Sequence, residues 1–471
     1  MNKTKMVATI GSECQDKSIL KKLILDGISV FRLDLTHNRY EFYMDVVNKI
    51  KELREELQKE VAIMIDTNGP ALNVGRMSSN IVKLTKGDKI RIYVDDILGD
   101  ETKFSVNYPK LVNEVKYGSK MMINSGKVEL KIIDKELNYL LCEVEKEGYI
   151  SENDSINLPG VTLGIPFLNK RDKDTILFAD KIGADFLALS YVKSAEDVLV
   201  ANDLLIELGN DHLSLFAKIE KAEAIKDIDE IIRVSDGVII ARGDLGTEVP
   251  LEKIPAIQKN IIHKCHLQGK VSLVSAEFLS SMEKEERPTR AEVADVASAV
   301  LDSTDGIILN GDILLGKYPV TTVNMLGKII ESTEQELDYL ELLEIAMNSE
   351  EEDITGSIAH SVINCANRLK AKAIIAPTIS GYTARKMSRF RPSCPVIALS
   401  PNIKTVRSLA LNFAIHSIKI DEVRTFDEIV ELSKEIALQY LDVKKGDKII
   451  ITGGYPFKKI KHTNFMKIEE L

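Results

Sequence analysis

The chain has no tryptophan and only five cysteines: Cys14, Cys142, Cys265, Cys365 and Cys394. Odd in number and without paired spacing, these cysteines neither staple a secreted fold nor form a zinc site, so a reduced, cytoplasmic setting is expected. No apolar run approaches the roughly 20 residues that span a bilayer, and no membrane association is expected. The opening MNKTKMVATIG lacks the apolar core and cleavage site of a signal peptide. No basic block rises above a net charge of −10, which argues against a nucleic-acid partner. With 44% apolar and 28% charged residues, long disorder is equally unexpected. A chain of 471 residues exceeds one compact core, which implies two to four domains.

What is present is an alternation of short β-branched runs with helical stretches. MVATI, ISVFRLDLTH and VAIMIDT are separated by a helix near Ser18–Asp26 and an amphipathic one near Tyr40–Gln58. The second helix carries Tyr43, Val46, Val47, Ile50 and Leu53 at the three-four spacing of a buried face. Strand–helix–strand order with short links predicts parallel strands. After Gly75 the pattern changes to short alternating strands without a convincing helix, as far as Leu158. That reads as an all-β insertion, a small barrel placed to act as a lid. From Asn169 the alternation resumes with FLALSYV, LSLFAKIE, GVIIARG, VSLVS and DGIILNG. Three strands before the insertion and five after predict a closed (β/α)8 barrel. The expected division is a barrel over 1–75 and 159–345, an inserted β-barrel domain over 76–158, and a C-terminal open α/β domain over 346–471.

In such a barrel the residues trailing each strand share one face. Arg32, Asp34, Asp66, Thr67, Lys218, Glu220, Asp244 and Asn310 all trail strands. Lys218 and Glu220, two apart, emerge together from one strand end, and Asp244 follows the next strand. One ammonium and two carboxylates suit a hard divalent cation plus an anionic substrate. Structural ion pairs at a barrel rim are the alternative reading. Beyond a charged boundary at Ser349–Asp353, a helix near Ile358–Leu369 leads to AKAIIAPTISG, CPVIALS, AIHSIKI and DKIIITGGYP, again alternating with helices. The loop Thr378-Ile379-Ser380-Gly381-Tyr382-Thr383 joins a buried strand to a helix. Its hydroxyls, glycine and free amides suit a phosphate, with N-capping by Ser380 or Thr383 as the plainer alternative.

VATIG, FRLDLTH, IDTNGP, NLPGVTLGIP, DFLALSYV, AKIE, ARGDLGTEVP, ERPTRAEVADVASAVLD, SRFRPSCPVIALSPN and TGGYP together resemble the pyruvate kinase family over essentially the whole chain. The resemblance implies that Arg32 contacts the transferred phosphoryl group and that Lys218 stabilises the enolate oxygen. It makes Glu220 and Asp244 the ligands of magnesium or manganese. Gly243 and Asp244 would offer backbone amides to the substrate carboxylate, and Ser190 and Arg242 also match the site. Potassium would be a further cation, held by Asp66 and Thr67, with Asp34 and Thr36 standing where the family has Asn and Ser. Phosphoenolpyruvate or a pyruvate-like acid, ADP or ATP, a phosphorylated effector at Thr378, Ser380, Gly381 and Thr383, and a homotetramer complete the implied partners.

Other positions depart from the family pattern. Asn68, Ala71 and Asn73 stand where Lys, an acidic or basic residue, and Arg are expected. Asn124-Ser125-Gly126 replaces an acidic motif, and Asp154 replaces a lysine. Ala276, in Ser275-Ala276-Glu277, replaces the threonine that starts proton delivery, and Asn310-Gly311-Asp312-Ile313-Leu314-Leu315-Gly316 replaces its relay partners. A charge-assisted hydrogen bond contributes about 1.5–3 kcal/mol, and a positioned proton donor about 10²–10⁴ in rate. The nucleotide and proton-delivery side is thus expected to be weaker than the metal–enolate side. An enzyme turned to another enol phosphate or 2-oxo acid, and a non-catalytic ligand-sensing subunit, remain open beside the kinase.

Overall fold

A computed structural model describes residues 1–11, 14–35, 40–124, 126–210, 212–310, 316–347, 353–423, 425–456 and 462–471. Eight parallel strands close into a barrel: β1 (Lys5–Thr9), β2 (Ile28–Asp34), β3 (Ala62–Asp66), β4 (Phe186–Leu189), β5 (Ser214–Ile219), β6 (Gly237–Ala241), β7 (Val271–Ala276) and β8 (Gly306–Leu309). β1 pairs with both β2 and β8, which closes the ring. Residues two apart along a strand share a face. Val30, Met64, Ala188, Phe216, Ile239 and Ile308 fill the interior, while Phe31, Leu33, Leu187, Ile219, Val238 and Ile307 pack outward against the helices. The interior cluster also takes in Leu411 from the C-terminal part of the chain, which closes the floor.

Between β3 and β4 the chain leaves the barrel to build a seven-stranded curled sheet around its own core of residues such as Ile90, Phe104, Leu130 and Cys142. This sheet begins at Leu72–Asn73 and ends at Ser155–Asn157, two strands that pair antiparallel with each other. It contains one short helix, Leu111–Glu114, where no helix was expected from the sequence.

The C-terminal sheet has the order Ile415–Lys419, Val396–Ser400, Ala373–Pro377, Lys448–Gly453, Phe465–Glu470. The first four are parallel and the last is antiparallel. Strand order reverses between Ala373–Pro377 and Lys448–Gly453, and loops diverging at such a point leave a crevice. The expected boundary at Ser349–Asp353 falls largely on residues outside the described set.

Candidate functional site

Most polar residues at the barrel mouth continue the inward parity of a strand. Val30 leads to Arg32 and Asp34, Met64 to Asp66, Ala188 to Ser190, Phe216 to Lys218 and Glu220, and Ile308 to Asn310. Of the residues expected to trail strands, Thr67 has the outward parity of Ile65 and Asp244 sits on the helix Arg242–Glu248. Thr36 and residues 311–315 lie outside the described residues, as does Ser125.

Asp66 is the hub. Arg32 donates to it through Nε at 2.8 Å and Nη2 at 2.5 Å, and Lys218 Nζ lies 3.3 Å from Oδ2. Arg32 also donates to Thr9 Oγ1 at 3.2 Å. Lys218 further donates to Ser190 Oγ at 3.0 Å and pairs with Glu220 Oε1 at 2.9 Å. The Ser190 hydroxyl in turn donates to the Thr67 carbonyl at 2.7 Å, and its amide donates to Thr67 Oγ1 at 3.0 Å. Burial disfavours the charge on both cations. Asp66 outweighs it at Arg32, and Glu220 with Asp66 outweighs it at Lys218, so both are held above their ordinary values. Asp34 lies opposite Asp66 in the β2–β3 register and helps keep Arg32 charged.

Glu220 is 2% exposed and its carboxyl is raised, first by burial and also by the neighbouring charge of Asp244, against the opposing pull of Lys218. Two carboxylates that repel each other inside a protein lower their energy by sharing a cation. Among the described residues no cluster of three or more His, Cys, Asp or Glu side chains is arranged for a metal. Two protein carboxylates leave the remaining positions to substrate oxygens and water, which is how magnesium is commonly held. The donor set fits that ion.

Asp244 sits on the helix Arg242–Glu248, which starts directly after β6. The amides of Gly243 and Asp244 lie in its first turn, where no intrahelical acceptor exists, and Gly243 is exposed. Arg242 is committed elsewhere: it donates to Asp295 Oδ1 at 2.7 Å and lies 4.8 Å from the Phe278 ring centroid. Nearby, Ser275 Oγ donates to Asn310 Oδ1 at 3.0 Å, beside the hydroxyl-free Ala276.

Asn73 and Asp154 serve the base of the insertion. Asn73 donates to the Asn153 carbonyl at 3.0 Å, and Asp154 accepts the Ser151 amide at 2.7 Å. Both side-chain polar atoms of Asn68 are buried without a partner. Next to it, Gly69 has φ +68°, and an added Cβ would lie 2.7 Å from the Ser190 carbonyl, so only glycine fits.

Sequence reasoning missed Thr9, Tyr191, Lys221, Glu248 and Asp295. Lys221 and Tyr191 directly follow Glu220 and Ser190, and that adjacency was the available signal. At the C-terminal crevice, Thr378 Oγ1 accepts the Gly381 amide at 3.0 Å, and Thr383 Oγ1 meets Thr463 Oγ1 at 2.9 Å. Arg385 donates to the Ser380 carbonyl at 2.5 Å. The residue capping the helix is Gly381, at φ +80°, so N-capping by Ser380 or Thr383 does not occur.

Comparison with known proteins agrees along the whole length. Residues 1–323 match the family model "Pyruvate kinase, barrel domain" and residues 356–469 match "Pyruvate kinase, alpha/beta domain". The chain is 35% identical to a pyruvate kinase of Clostridium perfringens over 100% of both proteins. It is 36% identical to that of Geobacillus stearothermophilus, covering 99% of this chain and 80% of the relative. A crystal structure of a pyruvate kinase from Cryptosporidium parvum superposes with a TM-score of 0.91 at 31% identity, covering 100% of this chain and 96% of that one.

Proposed function

The chain is a member of the pyruvate kinase family, and we propose that it transfers a phosphoryl group between phosphoenolpyruvate and ADP at the barrel mouth. The observation that carries this reading is Lys218, held charged between Asp66 and Glu220 and oriented by Ser190. An ammonium fixed before the reaction stabilises an enolate oxygen without reorganisation. Arg32, clamped by Asp66, presents its remaining positive surface to the phosphoryl oxygens. The first-turn amides of Gly243 and Asp244 take the substrate carboxylate. Glu220 and Asp244 would hold magnesium or manganese, which supplies charge neutralisation on the phosphoryl and enolate oxygens when bound. Asp34, Asp66 and Thr67 are proposed to serve a potassium ion.

The inserted sheet is proposed to close over the mouth and exclude water. With Ala276 offering no hydroxyl, we assign the proton that completes pyruvate to water beside Ser275 and Asn310. The crevice of Thr378, Ser380, Gly381 and Thr383 is assigned to a phosphorylated effector, with Arg385 as the nearby cation. The family's homotetramer belongs to the same proposal.

The test is an assay with phosphoenolpyruvate, ADP and magnesium, run beside solvent-proton exchange into pyruvate. Turnover is expected, and Lys218→Met should lower it by on the order of 10²–10³. Exchange without phosphoryl transfer would point to another enol phosphate or 2-oxo acid. Binding with neither would point to a sensing subunit.

A further inference from the structure

We propose that Lys221, Glu248 and Asn157 form a bracket that sets the spacing of the two metal-binding carboxylates and makes it depend on the position of the inserted sheet. The inference rests on the metal assignment of Glu220 and Asp244 above.

Lys221 follows Glu220 at the end of β5, and its Nζ donates to Glu248 Oε1 at 2.6 Å. Glu248 is the last residue of the helix Arg242–Glu248, on which Asp244 sits. One ion pair therefore fastens the strand end that carries the first carboxylate to the helix that carries the second. The two side chains are 21% and 3% exposed. Away from water such a pair is screened little by salt, and losing one partner strands a buried charge.

Tyr191 secures the other side of Glu220. Its amide donates to Glu220 Oε2 at 2.6 Å, opposite the oxygen that Lys218 holds. The backbone there has φ +58°, an uncommon conformation for a tyrosine, kept where surrounding contacts enforce it. The Lys221 ammonium lies 5.4 Å from the Tyr191 ring centroid, which adds a cation–π contact to the same bracket. On the helix side, Thr247 Oγ1 donates to the Asp244 carbonyl at 2.7 Å.

The third arm comes from outside the barrel. Asn157 Nδ2 donates to Glu248 Oε1 at 3.4 Å, the same oxygen that Lys221 occupies. Asn157 is 2% exposed and ends the strand Ser155–Asn157 of the inserted sheet. A shift of that sheet moves Asn157, and through Glu248 it moves the helix bearing Asp244 against the strand bearing Glu220. Metal affinity thus follows the position of the insertion. Lys221, Glu248 and Asn157 are positioning residues and do not themselves touch substrate.

The experiment is Mn²⁺ binding to the full chain, followed by electron paramagnetic resonance of free Mn²⁺, with and without phosphoenolpyruvate. Lys221→Met is expected to weaken Mn²⁺ binding about tenfold, as loss of an outer-sphere partner commonly does. Lys221→Arg, which keeps the charge and a donor, should restore most of it. Asn157→Ala should weaken Mn²⁺ binding about two- to threefold and reduce, without abolishing, the tightening that phosphoenolpyruvate's own oxygens confer. If Lys221→Met does not fold, Lys221→Gln is expected to weaken binding about threefold, because it keeps a hydrogen bond without the charge. Wild-type Mn²⁺ affinity in Lys221→Met or Lys221→Gln, or undiminished tightening in Asn157→Ala, overturns the bracket. Wild-type affinity in Glu220→Gln overturns the metal assignment itself, so the two failures are told apart.

Discussion

Lys5 opens β1 on the floor of the barrel, and its ammonium donates to the carbonyl of Ile415 in the C-terminal sheet. Burial pushes it down to about 7, against the opposing pull of Glu334 and Asp305. An unfolded lysine titrates near 10.4. Between about 7 and that value the unfolded chain holds the proton and the folded chain has shed it, so stability rises with pH across this window. Below about 7 both states are protonated and the cost of burying the ammonium is fully present. Lys5→Met should flatten the rise, by at most about 1.4 kcal/mol per pH unit. Urea denaturation at pH 7, 8 and 9 checks this, and an unchanged slope would contradict it. At the same scale, the sequence showed which residues trail strands but not whom they meet. Lys218 and Glu220 were legible because strand parity is local, and Asp244 because it trails the next apolar run. The pairing of Lys221 with Glu248 was not, because nothing in either neighbourhood encodes a contact across a strand and a helix.

At the scale of elements, the eight barrel strands were readable because their apolar runs are buried on both faces, as in β6, where every residue is buried. The strand Phe465–Glu470 was not, because it lies at the sheet edge and its residues are only partly buried or exposed. The loop after Ala373–Pro377 shows a third case. Its composition suggested a phosphate or a cap, and both readings used the same hydroxyls. In the fold the Thr378 hydroxyl accepts the Gly381 amide and the Thr383 hydroxyl meets Thr463. A Cβ on Gly381 would stand 2.7 Å from Arg385 Nη1, where φ is already +80°. Gly381→Ala is therefore expected to displace the Arg385 guanidinium. It should abolish any thermal shift that a sugar phosphate or nucleoside monophosphate gives the wild type. No shift in the wild type with any such compound would remove the effector assignment.

For the whole molecule, one carboxylate gathers several of the contacts across the joint between barrel and C-terminal sheet. Asp305, just before β8, accepts Arg391 through Nη1 at 2.6 Å and Nη2 at 3.0 Å, together with the amides of Ser272 at 2.9 Å and Phe413 at 3.2 Å. Arg391 is 2% exposed and lies 4.7 Å from the Phe413 ring centroid. Asp305→Ala leaves that guanidinium buried without its partner, which costs about 3–5 kcal/mol. Calorimetry should then show the barrel and C-terminal parts melting apart, whereas a wild-type profile would mean that other contacts suffice. No apolar pattern announces such a joint, since its charged members are scattered along the chain.

The strands Leu72–Asn73 and Ser155–Asn157 run side by side, with Asn73 opposite Ser155 and Leu72 opposite Ile156. The chain therefore leaves the barrel and returns to it at nearly the same place, and β3 and β4 pair directly without help from what lies between. In engineering terms the insertion is a cassette on a two-strand stalk: a tight turn could replace it without reopening the ring, and another β-rich module with neighbouring ends could be grafted in its place.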